Sequence, residues 1–279
     1  MSGIAIVTDS TADFAGVDLT TLALTIVPLT VNWGRDVLRD RIDITTEEFY
    51  TRLRYDRDLP HTAAPPVGIF EEVYRNLQVT HSAVISIHLA AQLSGTHNVA
   101  TSAAHTVDHG RIHVVDSTSV SVGLGWLAYR AAQLAHDGAD ENVILGSLHA
   151  MMPRIRLYVA LESLEHLQRG GRIGRAQAFL GGLLNVKPIL LVKDGMVSPV
   201  ERVRTRAASL RRLAEISAEA GAKERVAIAH GDAELDAHTL RGQVMEREHL
   251  ATVPITEIGA VIGAHAGPGL VGLGFLLAD

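Results

Sequence analysis

The stretch Ser86-Ile87-His88-Leu89-Ala90-Ala91-Gln92-Leu93-Ser94-Gly95-Thr96 constrains the fold more than any other segment of this chain. Residues 83–87 (AVISI) form a continuous apolar run of strand length, and from Asn98 onward NVATSAAHTV is Ala-rich with helical spacing. A strand, a short loop and a helix in that order are the repeating unit of α/β folds with a parallel sheet. Such sheets bind ligands in the crevice at the carboxyl ends of their strands. Ser94 stands where an N-cap belongs. Its hydroxyl can accept from helix N–H groups or, together with them, present donors to an anion in that crevice. For this serine taken alone, capping is the plainer reading.

The same texture recurs through the first half. Residues 4–7 are an apolar run ending in Thr8-Asp9-Ser10-Thr11, and residues 22–31 read as a second strand. Trp33-Gly34-Arg35-Asp36 reads as a turn into a short third strand. Thr45-Thr46-Glu47-Glu48 is a capping box for a helix carrying Phe49, Tyr50 and Leu53. Pro60-His61-Thr62-Ala63-Ala64-Pro65-Pro66 is stiffened by its prolines and reads as a loop, followed by a helix over 68–77. Thr62 is therefore a hydroxyl held just before a helix, as Ser94 is. Residues 111–115 read as another buried strand, closed by Asp116-Ser117-Thr118-Ser119 and followed by a helix over 122–136. Three strand ends thus carry hydroxyls: Ser10, Ser94 and Ser117. In a parallel sheet they converge on one edge, which is then lined with neutral donors.

Beyond a helix over 142–154 the pattern changes. Residues 158–162 read as a strand, 164–167 as a short helix, and Gln168-Arg169-Gly170-Gly171-Arg172-Ile173-Gly174 as a basic glycine-rich loop. Residues 187–192 and 196–203 form a hairpin turning at Asp194-Gly195, since Asp-Gly supplies the positive φ that a two-residue hairpin turn requires. A helix over 205–220, a strand over 225–229, a helix over 232–249, a strand over 253–258 and a last strand over 270–277 complete the chain. Hairpins mixed with helices predict an α+β texture. The expected fold class is α/β with two domains. Residues 1–153 form a three-layer domain with a mainly parallel sheet, and residues 154–279 an α+β domain with a mixed or antiparallel sheet.

Several function classes recede on composition. Of 279 residues, 47% are hydrophobic but only 4% aromatic, so the core is built of Ala, Val, Leu and Ile, the residues of buried parallel strands. The net charge of −6 argues against nucleic acid as a partner, although basic residues cluster at 169–175 and 202–212. The absence of cysteine excludes disulfides, thiolate metal sites and thiol catalysis. No apolar stretch reaches the roughly 18 residues of a membrane span, and the N-terminal residues run directly into a strand, which points to a soluble cytoplasmic protein. Gly267-Pro268-Gly269-Leu270-Val271-Gly272 matches the dinucleotide fingerprint as a string, but no room for its βαβ unit follows. His105 and His109 lie four apart on one helix without a carboxylate pattern to complete a metal site. No resident cofactor or metal is expected. A nucleophile at Ser94 with His88, His97 or His265 as base gives the alternative of a serine-dependent acyl hydrolase, with no acidic residue at a recognisable spacing to orient the base.

Taken together, several segments resemble the DegV family of bacterial fatty-acid-binding proteins. They are Ile6-Val7-Thr8-Asp9-Ser10, Thr62-Ala63-Ala64-Pro65-Pro66, Ile85-Ser86-Ile87 through Leu93-Ser94-Gly95-Thr96, Val115-Asp116-Ser117 with Gly123-Leu124-Gly125, Leu164 through Gly170-Gly171-Arg172-Ile173, and His265-Ala266-Gly267-Pro268-Gly269. They stand in the family's order across nearly the whole chain. The resemblance implies a carrier with no catalytic residues of its own, binding a long-chain fatty acid with its carboxylate near the domain junction. It implies Thr62, Ser94 and His265 as carboxylate ligands. It further implies Arg172 and Arg204 near the entrance, as contacts for a fatty-acid kinase partner; Ser10 and Ser117, from the strand-end reading above, are candidate head-group or partner contacts. Ala63 and Ala64 replace the Ser and Gln that usually follow the family's threonine. Burying about fourteen methylenes gains on the order of 10 kcal/mol before entropic costs, so the head group need only avoid an unpaired buried carboxylate.

Overall fold

A computed structural model of the chain describes residues 3–56, 58–108, 110–180 and 186–279. Its first half comprises β1 (Ile4–Asp9), β2 (Leu24–Val27), β3 (Thr30–Trp33), β4 (Asp36–Arg39), α1 (Thr46–Tyr55), β5 (His61–Ala63), α2 (Val67–Gln78), β6 (Ala83–His88), α3 (Thr96–Asp108), β7 (Ile112–Asp116), α4 (Ser121–His136) and α5 (Glu141–Met151). The second half runs β8 (Ile155–Ala160), α6 (Glu165–Arg169), β9 (Lys187–Lys193), β10 (Met196–Val203), α7 (Arg206–Glu219), β11 (Lys223–Gly231), α8 (Glu234–Glu248), β12 (Ile255–Glu257), α9 (Ala260–Ala266) and β13 (Leu270–Leu277). His109 of the His105/His109 pair lies outside the described residues.

The fold is α/β, with the expected contrast between its halves. Strands β2, β1, β6 and β7 form a parallel sheet in that order. The later strands form a mixed sheet ordered β10-β9-β8-β13-β11-β12, antiparallel except for the β11/β12 pair. Asp194 and Gly195 turn the β9/β10 hairpin with φ of 51° and 75°, as the Asp-Gly pair predicts. The Thr45 capping box forms in full, and α1 buries Phe49, Tyr50 and Leu53.

Four local expectations require correction. The single strand over 22–31 is two strands, because Pro28 interrupts the ladder; β2 joins the parallel sheet, while β3 turns away to pair with β4 and β5 in an antiparallel sheet. The proline-flanked loop around Thr62 contains β5, whose Thr62 pairs with Val31. The stretch between the expected strands at 253–258 and 270–277, which has no element in the sequence reading, holds a helix, α9, whose glycine spacing serves packing: a Cβ on Gly263 would run into Tyr50 and Phe49. Finally, α3 begins at Thr96 with the Gly95 carbonyl accepting from Val99 N–H, so Ser94 stands one residue ahead of the cap.

Helix α4 holds the two main sheets together. It touches β1 and β6 of the parallel sheet and β8, β11 and β13 of the mixed sheet, and its residues 121–128 are all buried. A Cβ on Gly125 would collide with the Asp13 carbonyl, so the glycine lets backbone approach backbone here. The largest apolar cluster accordingly spans both halves of the chain, from Ile6 and Ile85 through Trp126 to Leu157 and Val261.

The carboxyl edge of the parallel sheet is fixed by a fully buried polar chain. The Tyr74 hydroxyl donates to Ser86 Oγ at 2.8 Å, Ser86 Oγ lies 2.7 Å from His88 Nε2, and His88 Nδ1 lies 3.0 Å from Asp9 Oδ2. Asp9 also accepts from Leu89 N–H, Thr11 N–H and the Thr11 hydroxyl. Asp9→Ala strands these donors in a dry interior and is expected to cost about 3 kcal/mol or more, read as a lowered midpoint in urea unfolding.

Candidate functional site

The mixed sheet and the elements facing it enclose a cavity of about 1000 Å³, its open mouth included. Leu190, Val159, Gly272 and Ala229, neighbours across β9, β8, β13 and β11, form one row of its floor. Leu89, Leu93, Val120 and Val122 face them from the first half of the chain, and Val261 and Ile262 of α9 close a side. The lining therefore comes from residues 29–122 and 157–274, and it is overwhelmingly aliphatic. An apolar chamber of this kind takes an apolar ligand, and its few polar groups orient it.

Those polar groups include Thr62, Ser94, Ser121, Arg172 and His265. Thr62 is carried by β5 and His265 by the last turn of α9, yet Thr62 Oγ1 lies 2.7 Å from His265 Nε2. Gly267, at φ 79°, ends α9 two residues beyond the histidine. The imidazole packs on Gly170, where any Cβ would strike His265 Nδ1. Ser94 Oγ pairs with Thr96 Oγ1 at 2.9 Å and accepts from Thr96 N–H at 3.3 Å. Arg172 donates from Nε to the Leu93 carbonyl at 3.0 Å and from Nη1 to the Gly170 carbonyl at 2.7 Å. It thereby ties the loop after α6 to the residue before Ser94. Ser121 donates to Asp13 at 2.6 Å, and burial raises Asp13 to about 6 against the opposing pull of Arg41 and Ser121.

Burial, and then the positive charge of Arg172, lowers the pKa of His265 to about 4, so the imidazole is neutral at pH 7. Its Nδ1 is buried without a hydrogen-bond partner. A buried N–H left unpaired is rarer than an unpaired acceptor, so we assign the proton to Nε2, which donates to Thr62 Oγ1. The Thr62 hydroxyl proton is then free to donate into the cavity. Neutral donors beside one guanidinium suit a carboxylate, whose charge-assisted hydrogen bonds outweigh neutral ones.

Thr62, Ser94, Arg172 and His265 thus meet on one cavity although they lie far apart in sequence. Ser10 and Ser117 do not join them. Both stand at the expected sheet edge, but Ser10 Oγ accepts from Leu29 N–H, and the Ser117 hydroxyl is spent on Ser119 N–H and O. Arg204 is exposed in the turn between β10 and α7, away from the lining. Ser94 Oγ is paired with Thr96, and His265 Nε2 lies on Thr62 rather than on Ser94. His88 belongs to the buried chain below Asp9, and its place beside Ser86 was not foreseen. Ser121 was also missed. It precedes the apolar part of α4 with φ 53°, and a polar residue at a helix start was the available signal. Among the described residues, no cluster of His, Asp and Glu could hold a metal ion, and no helix is long and apolar enough to cross a membrane.

Fold and cavity together define a two-domain α/β protein that encloses an aliphatic chamber with a hydrogen-bonding end. The chain belongs to the DegV family, whose profile, that of an uncharacterised protein family, matches residues 3–278. It is 36% identical over 278 residues to a DegV domain-containing protein of Caldanaerobacter subterraneus, covering 99% of both chains. A DegV family protein of Thermus thermophilus, described for its fatty acid binding, superposes with a TM-score of 0.90 at 33% identity, covering 99% of this chain and 100% of that one. A stearic acid-binding protein of Eubacterium ventriosum superposes with a TM-score of 0.89 at 27% identity, covering 99% of this chain and 98% of that one.

Protonating His265 costs folding free energy, because its folded pKa of about 4 lies below the unfolded value of 6.5. Its contribution to stability is present above pH 6.5 and is lost as pH falls toward 4. Relative to His265→Gln, the wild type is expected to lose about 2.4 kcal/mol between pH 7 and pH 4.5, read by urea unfolding at the two pH values. Raised carboxylates such as Asp13 titrate in both proteins and cancel in the difference.

Proposed function

We propose that this protein is a fatty-acid carrier, holding a long acyl chain in the aliphatic cavity and its carboxylate against Thr62 and Ser94, with His265 turning the Thr62 hydroxyl toward the head group. The observation that carries this reading is the convergence of these three side chains, from β5, the loop before α3 and α9, on one end of an apolar chamber. Descriptions of fatty-acid binding by the Thermus thermophilus and Eubacterium ventriosum proteins support it. The acyl chain supplies the affinity through burial, at roughly 0.8 kcal/mol per methylene. The Thr62 proton, the Ser94 hydroxyl and the free edge of Arg172 keep the carboxylate paired, without which its burial would be prohibitive. In this reading residues 1–153 and 154–279 are the two domains, the head group lies at their junction, and the carrier is cytoplasmic. It has no catalytic residue and no resident cofactor. Arg172 at the head-group end and exposed Arg204 offer basic contacts to a fatty-acid kinase that phosphorylates the presented carboxylate, a role supported by the family resemblance.

Native mass spectrometry of gently purified protein is expected to show a bound long-chain fatty acid. Thr62→Ala and Ser94→Ala should each weaken binding of hexadecanoic acid about tenfold, the worth of one hydrogen bond to a charged group, without unfolding the protein. Protein that neither copurifies with an acyl chain nor binds one after delipidation refutes the proposal. Turnover of an acyl ester abolished by Ser94→Ala would establish the hydrolase instead.

A further inference from the structure

Strand β13 carries two glycines two residues apart, Gly272 and Gly274, on the face that lines the cavity. Glycine weakens a strand interior, so each needs a reason. Gly274 has one in packing: a Cβ there would run into Val122 Cγ2 of α4 and approach Leu157 Cδ2 to 3.0 Å. Gly272 has none of that kind. Its Cβ would meet only ordinary contacts, the Ala229 carbonyl at 3.5 Å, the Tyr158 carbonyl at 3.6 Å and Ala229 Cβ at 4.0 Å. Its φ lies outside the left-handed region, so no backbone requirement excludes a side chain.

Gly272 is nonetheless flanked on both sides by paired strands, β8 and β11, in the middle of the six-stranded sheet. Residues 270, 271, 273, 274, 275 and 276 are buried, whereas Gly272 is only half-buried. Since strands cover both its edges, its open surface faces the chamber. Its row partners there are Val159 and Ala229, and Ala229 is also small. The space a side chain would fill at 272 is therefore cavity, not core.

The geometry points to Gly272 as the residue that sets how much acyl chain the cavity admits. This rests on the fatty-acid reading above and adds the determinant of chain length to it. A branched alkyl side chain at 272 takes the place of acyl methylenes against the sheet. Long chains then lose contacts while the head-group residues, on other elements, are untouched.

The test loads delipidated protein with an equimolar mixture of dodecanoic, tetradecanoic, hexadecanoic and octadecanoic acids, and reads the bound species by native mass spectrometry. In Gly272→Leu, octadecanoic acid is expected to fall at least about tenfold relative to dodecanoic acid compared with wild type, the factor that two methylenes of burial represent. Gly272→Ala should fold with an unchanged or higher melting temperature and shift the preference in the same direction by a smaller factor. Gly274→Ala, whose Cβ runs into Val122, should instead lower the melting temperature, which separates a packing glycine from one that borders open chamber. Wild type that binds none of the four acids overturns the carrier reading itself. Wild type that binds them while Gly272→Leu and Gly272→Ala keep its preference overturns the role of Gly272, and so does a Gly272→Ala variant that fails to fold.

Discussion

The hydrogen bond between Thr62 and His265 joins residues 203 positions apart and sits where an apolar chamber meets polar atoms. Its energetics govern the surrounding architecture. Neither group can be left unpaired in a dry site, and a charged imidazole there would be costly. Desolvation keeps the ring neutral, Gly170 leaves room for its Nδ1, and Gly267 stops α9 two residues beyond it. Thr62 reaches the ring because β5 is stitched to β3, and β3 is available because Pro28 turns it away from the parallel sheet. One two-partner contact thus depends on the antiparallel sheet of the first half and on the last helix of the second.

Much of this fold was legible in the sequence because its strongest signals are local. The apolar runs of β1, β6 and β7, the Asp194-Gly195 turn and the Thr45 capping box each state their own conformation within a few residues. The elements that misread are those whose conformation is decided by distant partners. Residues 61–63 look like a loop between prolines until β3 offers them a ladder. Residues 263–269, rich in glycine, show no helical signal of their own, but Gly263 is where Tyr50 and Phe49 press against the helix. A propensity reading has no access to such neighbours.

The candidate site was legible in a more instructive way. Placing Ser10, Ser94 and Ser117 on one edge followed correctly from parallel topology, yet only Ser94 lines the cavity. Strand direction fixes the edge on which a residue falls. It does not decide whether the hydroxyl faces a ligand or is consumed by its own turn, as Ser117 is by Ser119. Thr62 and His265 came through motif resemblance, and nothing local in either segment announces that they touch. Gly272 shows the converse limit, since its string match to a nucleotide fingerprint hid a glycine whose reason lies in the chamber beside it.

Two histidines separate scaffold from site. His88 is completely buried, with Ser86 on one ring nitrogen and Asp9 on the other, and the chain from Tyr74 to Asp9 gives every hydrogen an acceptor. Such a network is complete without a ligand, and its closure holds the edge from which the Leu89–Ser94 loop departs. His265 is paired on one nitrogen alone, beside a threonine with a proton to give and an arginine with an unspent edge. The unprotonated Nδ1 is an acceptor packed on Gly170, and the donors still to be used are those of Thr62 and Arg172, on the cavity side. Although Ser86, His88 and Asp9 carry the residue types of a catalytic triad, their full mutual satisfaction and complete burial mark them as structure. The cluster around His265 differs in both respects, since it borders an aliphatic chamber and keeps donors that no protein group uses.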